Sequence, residues 1–147
     1  MRLEFKRVRP LEDADMELPA WRTAGAAGLD LAAAVREPLT LGLGQIVLVP
    51  TGWAMALPVG YEGQVRPRSG LALKKGLTLI NSPGTIDWDY RGEIQLPMIN
   101  LGPEPVTIRR GGRLAQLVVA KIERPVIEVV EDLAPTDRGT DGFGSTG

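Results

Sequence analysis

The sequence predicts an all-β fold, a jelly-roll-like β-barrel made of many short strands. Three observations carry this expectation. Short apolar runs recur along the chain at intervals of about ten residues, the spacing expected of strands in a sandwich or barrel. Glycine and proline separate them, with 18 Gly and 12 Pro among 147 residues. Only one stretch, Ser69 to Lys75, carries helix signals at both ends.

In chain order, Leu3, Phe5 and Val8 form a first short strand. Pro10 to Pro19 is acidic and loop-like. Ala24 to Ala33 is rich in alanine, which favours helix, but Gly25 and Gly28 oppose it, so a glycine-hinged strand is expected. Further strands are expected at Gln45–Val49, Trp53–Leu57, Gly63–Arg66, Leu77–Ile80, Glu93–Met98, Val106–Ile108, Leu114–Ile122 and Val126–Val130. The helix should run from an N-cap at Ser69 to a stop at Gly76 in left-handed conformation. Lys74 and Lys75 suit the negative end of its dipole. Residues 1–136 read as one β-barrel domain, and the glycine-rich residues 137–147 read as a flexible C-terminal arm. No tandem repeat or internal boundary interrupts the chain.

Composition narrows the chemistry. Net charge is −1, so no strong basic field exists to attract a nucleic acid polymer. The first residues lack an apolar signal core, and no apolar run is long enough for a membrane span, so a cytoplasmic protein is expected. Cysteine and histidine are both absent. That excludes disulfides, thiolate or imidazole metal sites, a Cys nucleophile and a Ser-His-Asp triad. Acid–base chemistry near neutral pH is left to carboxylates, lysine, tyrosine or a metal-bound water.

The central stretch is Asn81 to Gly92, flanked by Leu77–Ile80 and Ile94–Leu96. It reads as a bent hairpin that brings together an amide, a carboxylate and a phenol. The amide can donate to and accept from a base edge. The carboxylate can take a proton from water. The ring can pack against a sugar or base. A plain tight turn uses the same residue types. Asp87 and Asp89 would share a face if they lay on a strand, as a metal pair or as a base with a structural neighbour. Arg68-Ser69-Gly70 opens the helix, where unpaired N–H groups and a guanidinium fork suit a phosphate. The plain alternative is a Ser-capped helix with surface charges. Gln116 is a lone polar residue on an apolar strand and needs a partner, and Gly28-Leu29-Asp30 offers a carboxylate beside approachable backbone. Gly142 to Gly147 matches GxGxxG, but no helix follows, so the dinucleotide reading fails.

In this order the pieces resemble the five motifs of the trimeric dUTP diphosphatase (dUTPase) family. The matching segments are Ala27–Leu31, Pro67–Ala72, Asn81–Gly92, Arg110–Gln116 and Arg138–Gly147, so the resemblance spans the chain from about Leu3 onward. Thr85 stands where the family usually has valine or leucine. The resemblance implies a homotrimer with sites at subunit interfaces, converting dUTP and water to dUMP and pyrophosphate. That reaction keeps uracil out of DNA and supplies dUMP for thymidylate synthesis. It implies that Asp87 activates the water that attacks the alpha phosphorus. Asn81 with backbone groups around Thr85, Ile86 and Asp87 would read uracil, and Tyr90 would pack under deoxyribose. Arg68, Ser69, Gly70 and Gln116 would hold the phosphates, and Gln95 would line the substrate. Arg138 and Phe143 would reach the gamma phosphate and the base from a mobile lid. Mg²⁺ would be held mainly by the triphosphate and water, with Asp30 at second-shell distance. Two rivals share parts of this pattern. A dCTP deaminase-like enzyme has the same fold but an Arg-Ser-Ser pattern and a glutamate base, and a nucleotide-binding barrel would bind without turnover.

Overall fold

The computed structural model describes residues 2–142. Ten strands and one helix follow the chain: β1 Glu4–Arg7, β2 Leu29–Ala32, β3 Leu39–Leu41, β4 Ile46–Ala56, β5 Tyr61–Pro67, α1 Ser69–Lys75, β6 Leu77–Leu79, β7 Gly84–Ile86, β8 Glu93–Asn100, β9 Val106–Ile108 and β10 Arg113–Lys121. One sheet has the order β1-β4-β8-β6, a second β2-β10-β5-β7, and β3 pairs with β9 in a separate ribbon. All named pairings are antiparallel. The sheets are separate, not one closed ring, and they share a single core.

Alternation places that core. Along β8, Ile94, Leu96 and Met98 are buried while the residues between them are not. They meet Leu29 and Leu31 of β2, Val65 of β5 and Leu117 of β10 in the same cluster. Each such aliphatic side chain contributes roughly 1.5–3 kcal/mol when fully buried. Strand β10 buries two successive residues, Leu114 and Ala115, because its register against β2 slips between Arg113 and Ala115. A bulge of this kind turns the extra side chain back to the core.

Four expectations are corrected. The strands expected at Gln45–Val49 and Trp53–Leu57 are one strand, β4. Its register shifts between Pro50 and Ala54, so Thr51, Gly52 and Trp53 stand opposite Ile94 alone. Gly52 accommodates this with φ +78°, and Thr51 Oγ1 donates to the Ile94 carbonyl at 2.7 Å. Val126–Val130 forms no strand, and its apolar residues are exposed. Alternating apolar residues need a neighbouring strand for their backbone groups, and this segment has none in the described chain. The N-cap is Arg68, in extended conformation with no side-chain cap bond, and Ser69 is the first helical residue. Asp87 and Asp89 lie in a turn and not on a strand. Gly76 closes the helix as expected, with φ 64°.

Candidate active site

The central stretch crosses between the two sheets. It leaves the first sheet at the end of β6, joins the edge of the second as β7, and returns to the first as β8. β7 is held by β5, with Gly63 opposite Ile86, Gln64 opposite Thr85 and Val65 opposite Gly84. A Cβ on Gly63 would lie 2.7 Å from Met55 Cε, so only glycine lets β5, β7 and β4 approach this closely. Where β7 and β8 part, a cavity of about 200 Å³ opens, lined by Thr85, Ile86, Asp87, Tyr90, Glu93, Ile94 and Gln95.

The turn is braced from inside. The Tyr90 N–H donates to the Asp87 carbonyl at 3.1 Å. The Tyr90 hydroxyl donates to the Glu93 carbonyl at 3.1 Å. Arg91 Nη1 donates to the carbonyls of Trp88 and Tyr90 at 2.7 and 2.9 Å. Trp88 packs against the core. Asp87 itself is exposed, and among the described residues its carboxylate makes no ion pair. Glu93, the other carboxylate on the cavity, is occupied. The Arg9 fork donates to both its oxygens at 2.9 and 2.8 Å, and the Gly52 N–H donates to Oε1 at 2.7 Å. The Arg9 guanidinium holds the Glu93 carboxyl below the usual carboxylate range, against the opposing effect of burial.

A second group forms around Asp30, which is 6% exposed. Arg113 Nη1 donates to Asp30 Oδ2 at 2.9 Å, and Gln116 Nε2 donates to Oδ1 at 3.2 Å. Arg22 and Arg68 approach the same carboxylate at 3.5 and 3.8 Å. Antiparallel pairing explains the grouping, since Gln116 stands opposite Asp30 on one side and Arg66 on the other. One buried carboxylate thereby gathers three guanidinium groups and an amide beside the start of α1. Ser69 and Gly70 are exposed there. This concentration of donors suits an anion of several charges.

The sequence-predicted residues thus fall into separate sets. Thr85, Ile86, Asp87, Tyr90 and Gln95 share the cavity. Asn81 is not among its walls but lies over Gly84, where an added Cβ would stand 3.0 Å from Asn81 Nδ2. Arg68, Gln116 and Asp30 form the second group. Arg138 belongs to neither, since its Nε donates to the Asp141 carbonyl in a local exposed turn. Phe143 lies outside the described residues. Sequence reading missed Glu93, Arg22 and Arg113 as members. Glu93 was recoverable, because it lies two residues from Gln95 on one strand and shares its face. Arg22 carried no local signal.

Comparison with known proteins follows the same lines. The dUTPase family profile matches residues 14–147. The deoxyuridine 5'-triphosphate nucleotidohydrolase of Caldanaerobacter subterraneus subsp. tengcongensis is 54% identical over 142 residues, 96% of each chain. The Staphylococcus bacteriophage 80alpha dUTPase solved with dUPNHPP superposes with a TM-score of 0.87 at 25% identity, covering 99% of this chain and 98% of that one. The dUTPase of phage phi11 of S. aureus, which coordinates a structural Mg(II) ion, has a TM-score of 0.79 at 23% identity, over 90% and 98% of the two chains. The chain belongs to the dUTPase family.

Proposed function

We propose that this protein hydrolyses dUTP to dUMP and pyrophosphate. The observation that carries this reading is one cavity holding an unpaired carboxylate, a phenol and an amide, in a chain of the dUTPase family. At about 200 Å³ the cavity is smaller than the common range of roughly 300–1,000 Å³ for ligand pockets. It suits a base with its sugar, which leaves the triphosphate to lie outside it. The donors grouped on Asp30 are suited to that triphosphate.

Within the cavity, Asp87 takes the proton of the water that attacks the alpha phosphorus. Tyr90 supplies a wall under deoxyribose, and Asn81 with the backbone of β7 reads the uracil edge. Arg68, Ser69, Gly70 and Gln116 neutralise and orient the phosphates, where positioning and charge matter more than covalent chemistry. Arg138 and Phe143 close over the nucleotide. Mg²⁺ suits this donor set, because a hard ion that keeps its waters needs one or two carboxylates at most besides phosphate oxygens. Asp30, with both oxygens already accepting hydrogen bonds, would meet it only through water. When bound, the ion neutralises charge on the triphosphate. The cavity and the Asp30 group have no wall in common in a single chain, which supports a homotrimer whose sites combine two or more copies. The protein would act on free nucleotide in the cytoplasm.

The deciding experiment incubates the purified protein with dUTP and Mg²⁺ and measures pyrophosphate, with ammonia release from dCTP as the comparison. Pyrophosphate and dUMP in equal amounts are expected. Ammonia from dCTP would support the deaminase reading, and tight binding without product would support a binding barrel.

A further inference from the structure

We propose that Arg9 is a positioning residue for sugar selection, fixing the Tyr90 hydroxyl through Glu93. The proposal rests on the dUTP reading of the cavity above. It starts from a weakness in the site. Tyr90 is 47% exposed, so core packing does not hold its ring. Its side chain makes one hydrogen bond, from the hydroxyl to the Glu93 carbonyl. It also lies hard against Gly92, where a Cβ would stand 2.3 Å from its Oη. The ring is therefore placed by the backbone of Gly92 and Glu93, and it can be no better fixed than they are.

Glu93 is the first residue of β8, where a strand ordinarily frays. Its carboxylate is fastened instead. Both oxygens take the Arg9 fork, and one also takes the N–H of Gly52 in the β4 bulge. Arg9 is fastened in turn, with Nε 2.9 Å from Asp13 Oδ2. The Asp13 side chain is 3% exposed, and its other oxygen accepts from Arg110 at 3.0 Å. A continuous line of bidentate and charge-assisted contacts runs from a buried carboxylate to the phenol. Such contacts are the stiffest that side chains offer.

The function of this line follows from steepness. Repulsion between a sugar-facing ring and an added 2′-hydroxyl falls sharply within a fraction of an ångström. A loosened ring still packs under deoxyribose but stops excluding ribose. Loss of Arg9 should therefore appear in discrimination between sugars before it appears in turnover. A strut that serves stability alone would not move that ratio.

The test is a double-mutant cycle on the full chain with Arg9→Ala, Tyr90→Phe and the pair, measuring kcat/KM for dUTP and UTP by pyrophosphate release. Arg9→Ala should raise the UTP-to-dUTP ratio about tenfold. Tyr90→Phe should raise it similarly, and the pair should raise it no further, because both act on one contact. Arg9→Lys keeps the charge beside Asp13 but loses the fork, so it should raise the ratio too, and it decides the matter if the alanine variant does not fold. An unchanged ratio in Arg9→Lys or in folded Arg9→Ala, whatever happens to Tm, overturns the proposal, as do additive effects in the pair. Wild-type protein that releases no pyrophosphate from dUTP overturns the functional reading and this one with it, whereas an active wild type with an unchanged variant ratio overturns this one alone.

Discussion

Two carboxylates line the cavity, and their surroundings assign them different tasks. Glu93 accepts three hydrogen bonds, two from a guanidinium, and is held below the usual carboxylate range. A carboxylate stabilised that way is a poorer base. Asp87 sits on the same cavity with no ion pair among the described residues. With no histidine in the chain, Asp87 is the group left to accept a proton from water. Asp87→Asn should keep fold and nucleotide affinity and lower turnover by roughly 10²–10⁴-fold. Single-turnover pyrophosphate release measures it, and near-normal turnover would move the base to another residue, with Asp89 next. At this scale the sequence was legible where function is local. Asp87, Thr85, Tyr90 and Gln95 lie within eleven positions and share one cavity. The Arg9–Glu93 pair spans 84 positions and is set by the register of a bulge in a third strand, which no local pattern reveals.

Among the elements, α1 was legible because its stop signal is chemical. Gly76 takes a left-handed φ of 64°, and its N–H donates to the Ala72 carbonyl. A Cβ there would lie 2.2 Å from the Gly102 nitrogen, on the segment after β8. Gly76→Ala should therefore cost about 1–3 kcal/mol, from backbone strain and the forced shift of Gly102. A urea midpoint equal to wild type would show that the turn relaxes freely. β3 and β7 escaped sequence reading because three residues are too few for a period of two to show. Val126–Val130 erred in the other direction, since its apolar pattern implies a strand but only a neighbour can make one. Residues 137–142 are exposed and add nothing to the core, so deletion of 137–147 should leave a folded protein. If the arm closes over nucleotide, the same deletion should reduce dUTP turnover at least about tenfold while dUMP binding is largely kept. Turnover at the full-length rate would make the arm dispensable.

For the molecule as a whole, the arrangement of the two groups makes a prediction about assembly. The cavity with Asp87 lies at the seam between the sheets, at β7 and β8. The guanidinium group on Asp30 spans β2, β10 and the start of α1. If one copy supplies Asp87 and another supplies Arg68 to each site, two dead variants can repair each other. Asp87→Asn assemblies lack the base at every site. Arg68→Ala assemblies lack a phosphate fork at every site. Unfolding both together and refolding the mixture should scatter the chains at random. A site is then whole when an Asp87→Asn chain supplies the phosphate side and an Arg68→Ala chain supplies the base. With equal amounts in closed symmetric assemblies, about a quarter of the sites should be whole. dUTP turnover of the mixture should rise to about a quarter of wild type, well above either parent. A mixture no more active than the average of its parents would place both halves of the site in one chain.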